Sequence, residues 1–175
     1  MKLKYLSIVL TLLFSWVAAS QAAADALPMP KGTVILSISG AIAHSNGQGV
    51  DGDSVANFDR AMLEALPRHQ FSTETPWTDG SHQYQGVLLS VLLQHVGASG
   101  KKLVARALND YHSVIDLAPI ADYPVILAYA ADGQAMRVRD KGPLWVLYPM
   151  SDFPELNTTF HHAGMVWQLR HLEVR

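Results

Sequence analysis

"QGVLLSVLLQHVG", residues 85 to 97, places Leu88, Leu89, Leu92, Leu93 and Val96 on one face at helical spacing and ends in a glycine. The spacing predicts an amphipathic helix, with Gly97 at the C′ position where positive φ stops a helix. "DGDSVANFDRAMLEALP", residues 51 to 67, repeats the device. Val55, Phe58, Met62 and Leu66 recur at helical intervals, Asp53 or Ser54 offers a cap, and Pro67 closes the segment. Two amphipathic helices are expected.

Outside them the chain is rich in β-formers. "GTVILSISGAI", residues 32 to 42, reads as a first strand turning at Gly40. Further strands are expected at 69–75, 102–108, 123–130, 135–139, 143–149 and 165–174. Asp132 and Gly133 form a two-residue hairpin turn between two of these, because both tolerate the positive φ it demands. Strands outnumber helices and do not alternate with them regularly, so the fold class is α+β with a mixed sheet. No internal repeat, low-complexity stretch or interdomain linker follows the N-terminal segment, and one module over residues 25–175 is expected.

That N-terminal segment carries Lys2 and Lys4 ahead of an apolar core from Leu6 to Ala19 and small residues at Ala22 to Ala24. The pattern is that of a cleavable secretory signal peptide over residues 1–24, rather than a membrane anchor, which needs roughly 20 apolar residues. Cleavage after Ala22 or Ala24 would release a periplasmic protein of about 150 residues, the size of one core. The 13 basic and 15 acidic residues of the full chain become 11 against 15 once the two lysines leave, a net charge of −4. A nucleic-acid partner is therefore not expected. The chain contains no cysteine, which excludes disulfides and thiolate chemistry.

Three stretches could carry a site. "FSTETPW", residues 71 to 77, ends a polar strand in proline and tryptophan, and Trp77 is either core or a face for a ring. "NDYHSVID", residues 109 to 116, packs an amide, a carboxylate, a phenol and an imidazole together, either as a turn bonding its own backbone or as a binding loop. "RVRDKGPLWVLYP", residues 137 to 149, crowds Arg137, Arg139, Asp140 and Lys141 at a Gly-Pro turn, either as a solvated hairpin end or as a loop facing a ligand. His161 and His162 adjoin, and adjacent strand residues point to opposite faces, so they do not form a zinc site. No G-x-S-x-G elbow or phosphate-binding loop supports a hydrolase or nucleotide enzyme.

Taken in order, the pieces resemble a known family. Trp77, Gly80, Tyr84, Gly86, Val87, Leu89, Leu92, Leu93 and Gly97 are followed by Asp110, Tyr111 and Ile115. Next come Ile126 to Tyr129 with Gly133 and Met136, then Asp140, Gly142, Pro143 and Leu144, and a closing "VWQLRHLEV" at 166 to 174. From about residue 70 onward this is similar to the oxidoreductase molybdopterin-binding domain, the sulfite-oxidase fold. In that family a cysteine thiolate ligates molybdenum just before the Trp77-type segment. Here Thr75 stands in that region, and a hydroxyl is a far poorer soft-metal ligand than a thiolate.

The resemblance is nearest to the cysteine-less periplasmic pterin-binding regulators of the PruR type. It implies a non-catalytic sensor that binds a reduced pterin or a molybdopterin-like ligand without metal. It also implies a partner, the periplasmic region of a membrane-bound diguanylate cyclase or phosphodiesterase, through which pterin level tunes cyclic-di-GMP and biofilm formation. The alternative is a molybdopterin-dependent oxidoreductase of the sulfite oxidase family. A pterin needs an aromatic face and a few fixed polar partners. Trp77 is the expected face beside Thr75, Asn109 and Asp110 are the partners of the amino-pyrimidinone edge, and Tyr111 or Arg139 closes the rim.

Overall fold

The structure is a computed structural model, and it describes residues 27–175. The expected signal peptide lies outside the described residues. Two sheets form around one hydrophobic cluster. The first, of six strands, has the order β2-β3-β1-β11-β6-β7. It comprises β1 (Leu36–Gly40), β2 (Gly47–Gln48), β3 (Ser54–Phe58), β6 (Lys102–Ala107), β7 (His112–Asp116) and β11 (Leu169–Val174). The second runs β10-β8-β5-β4, with β9 on β8, and comprises β4 (Arg68–Glu74), β5 (Ser81–Leu88), β8 (Ile126–Ala131), β9 (Gln134–Ala135) and β10 (Trp145–Leu147). Strands β1 and β11 pair in parallel while their other neighbours are antiparallel, so the first sheet is mixed. Among the described residues, three short helices complete the α+β architecture: α1 (Arg60–Glu64), α2 (Leu89–His95) and α3 (Thr159–Gly164).

Both expected helices are shorter than their apolar spacing suggests. Residues 81–88 belong to β5, and α2 begins only at Leu89. Sheet pairing wins because β5 lies between β4 and β8 and satisfies its backbone on both sides. Gly86 lets the strands approach: a Cβ there would lie 2.2 Å from the Leu127 carbonyl oxygen. The C-terminal signal is read correctly. Gly97 has φ +61°, its N–H donates to Gln94 O at 3.0 Å, and Ala98 N–H donates to Leu93 O at 2.9 Å.

The segment 51–67 splits in the same way. Val55 and Phe58 lie on β3, between β1 and β2, and the helix that follows is capped by Asp59 rather than by Asp53 or Ser54. Asp59 accepts from Met62 N–H at 2.9 Å, and also from Lys31 and Gly32 N–H at 2.8 and 2.7 Å. One carboxylate thus starts α1 and ties the segment preceding β1 to it. Asp132 and Gly133 form the expected turn, with φ +49° and +75°, between β8 and β9. The strand expected at 135–139 reduces to Gln134–Ala135, followed by a 3₁₀ turn at Val138–Asp140.

Asp59→Ala should lower the thermal midpoint. The hydrogen bonds donated by Met62 and Gly32 hold the Asp59 carboxyl below its ordinary value of 3.8. Its stabilisation is therefore present above that pH and is lost as pH falls through the lowered value. Melting curves of wild type and variant, separated near neutral pH, should converge in acid.

Candidate functional site

Trp77 sits in the loop between β4 and β5, where Pro76 and a Thr75–Thr78 turn stop the strand. Thr75 is buried, and its hydroxyl accepts from Trp77 N–H at 3.3 Å and shares a 2.8 Å hydrogen bond with the Thr78 hydroxyl. This local bonding delivers the indole, half-buried, into an aromatic group. Its ring lies edge-on to Trp167 at 5.2 Å and to His162 at 5.8 Å, and tilted against Trp145 at 6.4 Å. Trp145 is fully buried, meets Tyr84 edge-on at 5.7 Å and donates its indole N–H to Met165 O at 3.0 Å.

Beside this group opens a cavity of about 250 Å³. Trp77, Trp167 and Tyr111 provide its aromatic wall, Met165, Ala107 and Ala163 its aliphatic surface, and Asn109 and His162 its polar groups. Three separate pieces of chain converge here: the β4–β5 loop, the β6–β7 turn, and the stretch from α3 toward β11. Tyr111 fastens two of them, donating its hydroxyl to Ala163 O at 3.1 Å. Asn109 Oδ1 accepts from Tyr111 N–H at 3.2 Å, so the turn reading of 109–111 holds and the Asn109 amide hydrogens remain available as donors. His162 Nε2 donates to Asn157 Oδ1 at 2.8 Å, which makes Nδ1 the acceptor of the neutral ring.

Of the residues singled out in the sequence, Trp77, Asn109 and Tyr111 line the cavity and Thr75, Asp110 and Arg139 do not. Thr75 is committed to the turn that carries Trp77. Asp110 occupies the left-handed position of the hairpin turn, φ +64°, and is exposed. Arg139 is exposed with its Nε 3.7 Å from Asp140 Oδ2, while Arg137 Nε makes the closer contact of 2.8 Å to the same oxygen. Their loop still borders the site. Gln168, next to Trp167, donates its side-chain N–H to Val138 O at 2.8 Å and its backbone N–H to Lys141 O at 3.0 Å. Lys141 Nζ lies 5.8 Å from the Trp145 ring centre, a cation–π contact.

His162 and Trp167 line the cavity as well, although the sequence suggests His162 only as a metal-ligand candidate and Trp167 only as part of a strand. The expected strand at 165–174 begins instead at Leu169, and the irregular stretch before it is what leaves Trp167 at the cavity.

No protein-family model matches the chain, and no curated protein does. Among solved structures the chain is similar to the sulfane dehydrogenase SoxCD from Paracoccus pantotrophus, with a TM-score of 0.58 and 21% identity. The match covers 85% of this chain and 39% of that one, so the chain spans well under half the length of its neighbour. The likeness concerns the fold, and the α+β, sulfite-oxidase-like architecture expected from the sequence is the one observed.

Tyr111→Phe should loosen the cavity wall without unfolding the protein. Loss of one partly exposed hydrogen bond costs about 1 kcal/mol or less, and hydrogen exchange should accelerate in residues 159–164 while the strands of both sheets keep their protection.

Proposed function

We propose that the chain is a periplasmic pterin-binding sensor that performs no catalysis itself. The observation that carries this reading is the cavity between Trp77, Trp167 and Tyr111, with Asn109 and His162 as its polar groups. Its 250 Å³ falls just below the roughly 300–1,000 Å³ of drug-sized ligand sites, a scale suited to a bicyclic ring. The aromatic walls supply faces and edges to a flat heterocycle. Asn109 can donate to a carbonyl or ring nitrogen, and His162 can accept from an amino group. No lysine or arginine lines the cavity, which favours a simple pterin over a phosphate-bearing cofactor.

The residues fit a pterin and do not fit a resident molybdenum. Where the family places a thiolate, the Thr75 hydroxyl is a neutral oxygen, buried and bonded to Trp77 N–H and Thr78. A second reading, a molybdopterin-dependent oxidoreductase, draws on the neighbour being a sulfane dehydrogenase. Native mass spectrometry of protein recovered from the periplasm separates the two. A bound pterin supports the sensor, and stoichiometric molybdenum replaces it with the oxidoreductase.

A sensor must bind something else differently when occupied. We assign that role to the periplasmic region of a membrane-bound cyclic-di-GMP enzyme, whose output would set biofilm formation. Leu108, Tyr111, Val138 and Phe160 are exposed on segments that border the cavity, and the Arg137–Lys141 loop adjoins them. An apolar rim flanked by cations suits an acidic partner face.

Trp77→Ala should weaken pterin binding by about 1–3 kcal/mol in calorimetry; unchanged affinity would make Trp77 a packing residue only. Arg139→Glu should weaken capture of the partner's periplasmic domain in a salt-dependent way. Pterin should tighten that complex by the factor by which the partner tightens pterin, and capture indifferent to saturating pterin would remove the signalling mechanism.

A further inference from the structure

A larger cleft, of about 690 Å³, lies on the six-stranded sheet away from the aromatic cavity. Strand alternation creates it. Leu36 and Ile38 of β1 enter the core, so Ser37 and Ser39 face the other way, and the register sets Asn57 and His171 on either side of Ser37 and Glu173 beside Ser39. The β2–β3 connection, with Asp51 and Asp53, forms the cleft's remaining wall.

The interior is ordered by its own hydrogen bonds. Ser37 donates its hydroxyl to Asn57 Oδ1 at 2.7 Å, and the Ser39 hydroxyl, on a residue only 6% exposed, shares a 3.1 Å hydrogen bond with His171 Nε2. Apart from the imidazole of His171 no aromatic ring lines the cleft, so a ligand is held by hydrogen bonds rather than by stacking. Asp51, Asp53 and Glu173 outnumber the one lining cation, Arg170. Arg175 pairs with Glu173 at 2.7 and 2.8 Å, and Arg106 lies beside His171 in the sheet register. Burial holds the His171 imidazole below its usual range, against the opposing pull of Glu173 and Asp53, so it adds no positive charge at neutral pH.

We infer that this cleft binds a small hydroxyl-rich ligand bearing a protonated amine, an amino sugar by class, with its ammonium toward Asp51 and Asp53, whose carboxylates, among the described residues, are not engaged as that of Glu173 is by Arg175, and its hydroxyls on Ser37, Ser39 and Asn57. An acid or phosphate ester is disfavoured by the carboxylates, and a flat heterocycle finds no face to stack on. The ligand's own hydroxyls, donors and acceptors at once, match the mixed lining.

The test is an amide-resolved NMR titration of the exported protein with glucosamine, glucose, glucose 6-phosphate and the β-1,4-linked glucosamine disaccharide. Glucosamine should give saturable shifts in residues 37–40, 50–53 and 170–173. Glucose should bind at least about tenfold more weakly, as expected for loss of one charge-assisted contact, and glucose 6-phosphate should not bind. Tighter binding of the disaccharide assigns the site to a glycan end, and tighter binding of the monosaccharide assigns it to the free sugar. Asp53→Asn should lower glucosamine affinity about tenfold while the indole resonance of Trp77 stays in place; Asp51→Asn serves if that variant does not fold. No saturable shift in the three segments with either amino sugar, or equal affinity for glucose, overturns the proposal.

Discussion

The indole of Trp145 is the point on which both the fold and the site depend. Trp145 belongs to β10 in one sheet, yet its backbone bridges to Trp167 on the stretch that leads into β11 in the other, and its indole meets the Trp167 ring edge-on at 6.3 Å. Its N–H is satisfied in the interior by the Met165 carbonyl, which removes the cost of burying a donor. Val146 N–H to Val166 O and Leu169 N–H to Leu144 O extend the seam to either side. The two sheets are thus joined by backbone hydrogen bonds as well as by apolar packing. The aromatic cavity opens at this seam, where Trp77 and Trp167 both pack against Trp145.

The location explains the character of the site. Its walls come from three loops, but each loop is fixed at its base: Trp77 by the Thr75 turn, Tyr111 by Ala163, and Trp167 through its neighbour Gln168 and the 138–142 loop. Fixed aromatic walls lose little freedom on binding, which is how a small cavity can hold a small ring. The Thr75 hydroxyl has the opposite role from a metal ligand in such a place. It organises the chain instead of facing a ligand.

Much of the strand content was legible because β-branched residues and turn signals are local. Asp132-Gly133 and Gly97 announce their backbone angles by chemistry alone. The two helices were overextended for a physical reason: Val55 and Phe58 satisfy helical spacing, but β1 and β2 offer β3 two hydrogen-bonding neighbours that no local rule can see. In the site, Trp77, Asn109 and Tyr111 were accessible because each stands in a short stretch, after Pro76 or in the 109–116 turn, where aromatic and polar side chains are concentrated. His162 and Trp167 were not, since their value comes from a convergence of segments far apart in sequence. Thr75 rests on the family's metal-ligand position, Asp110 on its neighbours in the 109–116 stretch and Arg139 on the cationic 137–141 loop; the Thr75–Thr78 bond, the left-handed Asp110 and the Asp140 carboxylate hold them elsewhere.

The parallel pairing of β1 with β11 has a kinetic consequence. Ser39 and His171, on these adjacent strands, are 132 residues apart, so the centre of the six-stranded sheet forms only when the last strand arrives. Until then β1 and β6 each lack a neighbour, and closing so long a loop must precede the pairing that rewards it. The chain therefore belongs with slow, non-local folders. While it waits, the open edges of β1 and β6 are available to other chains, so its yield depends on how dilute or how well chaperoned the unfinished sheet is kept.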